Sequence, residues 1–331
     1  MRRAKLRTTG GRLRAPVHFR FASVSRFLAL VVGVLVTGCA GEPSGAGPTQ
    51  AEPARPKVLL IGIDGVRPDV MAEVPTPNLD ALAGGGLFIA DAQTTTPSVS
   101  GPAWSSMLTG VWPDRHGVTD NEFTGKRYDE FPDFLTRIEQ VRPELATAAI
   151  ADWMPLVRAE EGSAPVSDAV DVKHALDGYE LGWAEADDRV TALAVELLTG
   201  SDPDALFVYL GHADEASHEH GSIGEEYRTA IAQADRQVGE IVAAVRARPS
   251  FASEDWLILC STDHGRRADG GHGGDSPEEM TIFVIASGAG SATAPIPNGV
   301  GIVDVAVTAL THLGLAIEPE WELDGKSLLD P

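Results

Sequence analysis

The sequence predicts an α/β protein in three layers, a mostly parallel central sheet between two layers of helices. Three observations predict it. Short β-like apolar runs alternate with helical patterns along the chain, as in parallel sheets whose crossovers are helices. Several runs are apolar on consecutive positions, as strands buried on both faces are. Residues able to do chemistry stand at the ends of the runs, where α/β proteins build their sites.

The runs are VLLIGI (58–63), LFIAD (87–91), ATAAIAD (146–152), ALFVYL (205–210), WLILC (256–260) and TIFVIAS (281–287). The clearest helix spans 223–247, where Tyr227, Ala230, Ile231, Ala234, Val238, Ile241, Val242 and Val245 recur at spacings of three and four. Further helices are predicted over about 184–199 and 302–313, and Ser100 opens another in SGPAWSSMLTG (100–110). Residues 121–183 follow no clear period and are expected to form a cap beside the site. There is no internal repeat and no sign of a second domain in 57–331.

The first 39 residues do not belong to this fold. Residues 1–26 hold eight Lys/Arg and no acid, an apolar stretch runs from Phe27 to Val36, and VTGC ends at Cys39. The stretch is short of the roughly 20 residues that span a bilayer. Basic region, short apolar region and small residues before a cut describe a secretory signal. Its closing cysteine resembles the lipobox of bacterial lipoproteins, which implies a diacylated Cys39 and an extracytoplasmic, membrane-anchored protein. Residues 40–56, rich in Gly, Pro and Ala, read as a flexible tether. With Cys39 acylated, Cys260 has no disulfide partner, since the chain has two cysteines.

Past residue 26 the chain carries 18 basic against 48 acidic residues. No nucleic-acid polymer is expected as a partner, because its phosphates require basic surface. A small phosphate ester remains compatible, since bound cations reverse the local sign.

Five of the nine histidines fall between His212 and His272, each group beside an aspartate: HADEASHEHG (212–221), STDHGRR (261–267) and GGHGGDS (270–276). Asp64 ends the first apolar run. Asp, His and a hydroxyl assembled from strand ends suggest a two-metal hydrolytic site. Each piece has a blander reading: Asp64 as a helix cap, 212–221 as a hydrated polar loop, His272 as a surface turn, Asn121 as a turn former. His212, His218 and His220 all compete as ligands, and spacing alone does not choose among them.

In order, the pieces are IGIDGVRPD (61–69), Ser100, LTGVWPDRHG (108–117), Asp214 with His218, Asp263-His264-Gly265 and His272. Together they resemble the alkaline phosphatase superfamily, most closely its nucleotide pyrophosphatase/phosphodiesterase branch, across roughly 60–290. The resemblance implies one zinc held by Asp214, His218 and His272, and another held by Asp64, Asp263 and His264 with Ser100 completing its shell. The same donors accept manganese or iron. It implies an in-line attack by Ser100 on phosphorus, a phosphoserine and its hydrolysis, with Asn121 hydrogen-bonded to a phosphoryl oxygen. Imidazole and carboxylate donors suit Zn²⁺.

The chain departs from the diesterase pattern at the nucleophile. Ser100, Gly101, Pro102 and Ala103 stand where threonine, an aromatic, proline and asparagine are usual, which weakens any expected grip on a nucleotide. Trp104, Phe123 and Trp153 remain available to stack on a base or to fill the core. A phosphomonoesterase wants a fixed cation for the additional phosphoryl charge; Arg67, Arg266 and Arg267 are the candidates. A sulfatase places arginine where Trp104 stands. A non-catalytic binding lipoprotein would be expected to shed ligands or the hydroxyl, and none is missing.

Overall fold

A computed structural model describes residues 53–159, 162–288, 290–291 and 297–329. The predicted signal, Cys39 and most of the predicted tether lie outside the described residues. Seven strands form one sheet: β1 (Arg55–Ile63), β2 (Gly86–Gln93), β3 (Thr147–Ala151), β4 (Val172–Ala175), β5 (Ala205–Leu210), β6 (Glu254–Ser261) and β7 (Thr281–Gly288). Their order is β2-β7-β6-β1-β5-β3-β4. β1 runs parallel to both β5 and β6, and β3 runs parallel to β5 and β4. Only β7 is reversed, pairing antiparallel with β6 and β2.

Alternate residues of the central strands feed two separate cores, because side chains on a strand point to opposite faces. Val58, Leu60, Phe207 and Tyr209 join one core, with Trp104, Met107, Phe134, Ile138 and Leu310 from the helices Ser100–Thr109, Phe134–Val141 and Asp304–His312. Leu59, Ile61, Leu206 and Val208 join the other, with Leu82, Val190, Leu198, Tyr227 and Val238 from Pro77–Gly84, Trp183–Gly200 and Glu225–Arg246. The sheet is thus covered on both faces, as the continuous apolar runs require. All eight periodic residues of the longest helix are buried.

Two expectations change, and one of the blander readings falls. β1 begins at Arg55, inside the predicted tether, where Arg55 pairs with Asp202 at 3.1 Å. The segment 121–183 is not all cap: it supplies β3, the edge strand β4 and a core helix. And 212–220 is a helix rather than a polar loop. Among the described residues no helix is long and apolar enough to cross a membrane.

Candidate metal centre

β6, β1 and β5 lie side by side and parallel, so their carboxyl ends meet. Asp64 follows β1, Asp263 and His264 follow β6, and Asp214 lies in the first turn of the helix after β5. Topology therefore collects residues 199 positions apart in sequence, Asp64 to Asp263. Gly65 makes the approach close: its φ is +64°, and a Cβ there would stand 2.5 Å from Asp214 Oδ1. Ser100 begins its own helix beside this cluster, its Oγ 3.2 Å from His264 Nε2.

The donors converge. His264 Nε2 is 3.5 Å from Asp64 Oδ1, 3.4 Å from Asp263 Oδ2 and 3.8 Å from Asp214 Oδ1. His218 Nε2 lies 3.2 Å from Asp214 Oδ2 and 3.2 Å from His272 Nε2. The His264 and His272 rings stack at 4.0 Å. Ligand atoms of Asp64, Asp263 and His264 form one mutually close group, and those of Asp214, His264 and His272 another. The first is the set expected for one cation. In the second, His264 stands where His218 was expected, and His218 touches two of its members.

The polar atoms left over show what the cluster is built for. Asp64 Oδ2 accepts from Trp104 Nε1 at 2.9 Å and from the Tyr209 hydroxyl at 2.7 Å, while Asp64 Oδ1 is buried without a partner. Asp263 Oδ1 accepts from Gly65 N at 3.1 Å, while Asp263 Oδ2 is likewise an orphan. Buried oxygens without donors are costly, so each demands a cation or a proton. Both histidine tautomers fit a cation as well. Nδ1–H of His264 faces the Gly265 carbonyl at 3.1 Å and that of His272 faces Ser98 O at 2.9 Å, which leaves both Nε2 lone pairs free to ligate.

Electrostatics agree. Burial, reinforced by the Asp263 and Asp214 charges, raises the Asp64 carboxyl well above its ordinary value. Burial, with Asp214, pushes Asp263 up to about 7. Burial opposes ionisation of Asp214 too, yet the Arg266 guanidinium and the neighbouring histidines hold it below the usual carboxylate range. Burial keeps His264 and His272 neutral, the ligating form. The residues fit a pair of divalent cations.

Other predicted residues fall as follows. Asn121 lines the same cleft and accepts from Gly101 N at 2.7 Å, leaving its N–H groups for an acceptor. His116 is buried, its pKa lowered by burial to about 4, and sits 2.9 Å from Ser106 Oγ; it braces the Ser100 helix rather than touching the cleft. His212 and His220 line an adjoining cavity of about 820 Å³ instead. Trp153 lines the cleft and packs on Phe123, with ring centroids 5.7 Å apart.

The arginines are a correction: none of Arg67, Arg266 and Arg267 lines the cleft. Arg67 pairs with Asp69 at 2.7 Å and Arg267 with Glu279 at 2.7 Å. Arg266 is fully buried, bonded to the Asp214 carboxylate and 2.9 Å from both Asp214 O and His218 Nε2.

Trp104, read from the sequence as a base-stacking or core ring, and Tyr209, a residue of the apolar run 205–210, both hydrogen-bond Asp64, which no sequence pattern showed. Their hydrogen bonds fix which oxygen Asp64 presents. Tyr209→Phe should weaken the Asp64-side cation by about 10-fold, the low end for lost supporting hydrogen bonds, and leave the other affinity unchanged. Competition of the protein against a zinc chelator checks this; equal affinities for variant and wild type would remove Tyr209 from the site.

Residues 58–268 match the family model described as type I phosphodiesterase / nucleotide pyrophosphatase. The chain is 27% identical over 263 residues to human ectonucleotide pyrophosphatase/phosphodiesterase family member 7, covering 71% of this chain and 53% of that protein. It is 23% identical over 252 residues to bis(5'-adenosyl)-triphosphatase ENPP4 of Bos taurus, covering 72% and 52%. It spans about half the length of these curated relatives. Among solved structures, the phosphonate monoester hydrolase of Agrobacterium radiobacter superposes with a TM-score of 0.64 at 19% identity, covering 83% of this chain and 76% of that one. BT1596, a 2-O GAG sulfatase, gives 0.66 at 14% identity, covering 83% and 73%. Those two likenesses bear on the fold alone. The family model covers well over half the chain, and with it the chain belongs to the type I phosphodiesterase/nucleotide pyrophosphatase family.

Proposed function

We propose that the protein is a two-cation hydrolase of phosphoric diesters with Ser100 as nucleophile. The carrying observation is the Ser100 hydroxyl, 3.2 Å from His264 Nε2, beside two buried carboxylate oxygens, Asp64 Oδ1 and Asp263 Oδ2, that lack any partner. Asp64, Asp263 and His264 would hold one cation, with Ser100 beside it; Asp214, His218 and His272 would hold the other. Divalent zinc at these positions would lower the pKa of a coordinated hydroxyl and neutralise charge on the phosphoryl group.

Ser100 Oγ gives up its proton to solvent water and attacks phosphorus in line, and the alcohol or phosphate leaving group departs with the electron pair of the broken P–O bond and takes a proton from water. Water then cleaves the phosphoserine and restores the hydroxyl. The Ser100 helix aims its N-terminus at the phosphoryl oxygens, and Asn121 donates to one of them. His272→Ala should lower the content of one zinc and spare the other, as metal analysis would read; full retention of both would remove His272 from the ligand set.

The diester is favoured because, among the described residues, no arginine side chain lines the cleft to meet the second negative charge of a monoester. Gly101 takes the place of the usual aromatic, and a Cβ there would lie 2.3 Å from Asp120 O, so no side chain fits there to grip a base. Turnover of bis-p-nitrophenyl phosphate, p-nitrophenyl phosphate and p-nitrophenyl sulfate with added zinc tests this. Diester preference is expected; monoester preference would make it a phosphatase, and sulfate turnover alone would overturn the phosphoryl chemistry. We further propose export and anchoring through acylated Cys39. Cys39→Ser should then move the protein from the membrane to the soluble fraction, and unchanged partition would reject the anchor.

A further inference from the structure

Two buried acids have no part in the chemistry above. Asp152 follows β3 and is 1% exposed, and neither of its oxygens meets a donor. Asp187, on the helix Trp183–Gly200, is equally buried; its Oδ1 accepts from Gly211 N at 2.9 Å and His212 N at 3.4 Å. The two carboxyls shift each other's ionisation, and both reach Gly211. Gly211 is clasped between them and Trp183: a Cβ there would lie 2.4 Å from the Trp183 ring and 3.1 Å from Asp152 Oδ1. The helix carrying Asp214 and His218 starts at His212, the next residue.

We propose that Asp152 and Asp187 share one proton and, by gripping the backbone at Gly211 and His212, position the helix that presents Asp214 and His218 to a cation. Two buried carboxylates side by side repel, and one proton between them replaces the repulsion with an O–H···O⁻ bond. Asp187, which already accepts two N–H groups, is the carboxylate; Asp152, which accepts none, is the donor. Burial is the leading cause that raises both, Asp187 to about 6 and Asp152 well beyond the ordinary range. The groups facing them add to this. Asp64, at the end of β1, raises Asp152 further, and Asp188 raises Asp187. The Tyr209 hydroxyl of β5 faces the same charge. No cationic side chain forms an ion pair with either among the described residues.

The positioning role rests on the two-cation reading; the proton sharing does not. A folded state with raised carboxyl pKa values holds more protons than the unfolded chain, so stability falls as pH rises from about 4 through the folded values. Asp152→Asn supplies an amide donor that never titrates. In the zinc-loaded full chain it should flatten the fall of Tm between about pH 5 and pH 8 and keep both zinc affinities within about twofold of wild type. Asp187→Ala removes the grip and should weaken one zinc by about 10-fold or more while sparing the other.

A wild-type slope of Tm against pH in Asp152→Asn would overturn the shared proton, and this readout stands even if Asp187→Ala does not fold. Zinc affinities left unchanged, or weakened alike, in Asp187→Ala would overturn the positioning role. A wild-type chain that binds a single zinc would overturn the two-cation reading and that role together, with the slope comparison still deciding the proton.

Discussion

Ser100→Ala is expected to remove turnover on the order of 10⁴-fold or more, nucleophile deletions in other hydrolases reaching about 10⁶. The variant should keep its zinc content and its fold. Ser100 Oγ makes one side-chain contact, to His264 Nε2. In the proposed site six other side chains would supply donors for two cations, so losing one hydroxyl would leave each set largely intact. The helix should persist too, since Ser100 does not cap it with its side chain and Ala is a stronger helix former. Phosphoserine trapping by acid quench in wild type, absent in the variant, separates a lost nucleophile from a disturbed site. Residual turnover near the wild-type rate would assign the attack to water and leave Ser100 as a bystander.

Such a clean prediction is available from sequence because the key elements sit where sequence is most legible. β5 is apolar throughout, and β1 and β6 carry continuous apolar runs at 58–63 and 256–260, so their ends, and hence Asp64, Asp214 and Asp263, could be placed in advance. β4 could not: VKHA is a polar, half-exposed edge, and an edge strand needs no apolar alternation. The helix His212–His220 hid for a related reason. It carries few apolar residues, and its start is fixed by Asp187, a residue distant in sequence. Trp104 and Tyr209 read as core because their rings are core, the indole edge on the phenol at 5.1 Å. Only their polar tips serve Asp64, and no sequence pattern shows where a buried N–H or O–H points. The arginines failed in the opposite way. A free guanidinium beside a motif looks like a phosphate clamp until Asp69, Asp214 and Glu279 are found to have engaged each one.

Removing the cations should abolish turnover reversibly and lower Tm by about 10 °C for each site emptied, with zinc at about 1,000 times its Kd contributing about 4 kcal/mol per site. The size of that gain depends on pH in a direction the site fixes. Without cations the folded state raises Asp64 and Asp263, the latter to about 7, above their unfolded values. The metal-free protein therefore loses stability as pH climbs from about 4 through 7, because each ionisation puts another negative charge in the cluster. Cation binding requires those same carboxyls ionised, so zinc must displace protons below about pH 7, and its affinity rises with pH through that window. Both effects act together, and the gap in Tm between zinc-loaded and metal-free protein should widen as pH rises toward neutrality. Calorimetric zinc titration in buffers of different ionisation enthalpy should register proton release that falls as pH rises through about 7, where Asp263 loses its proton. A gap independent of pH, or no proton release, would mean that Asp64 and Asp263 are not the groups that hold the metal.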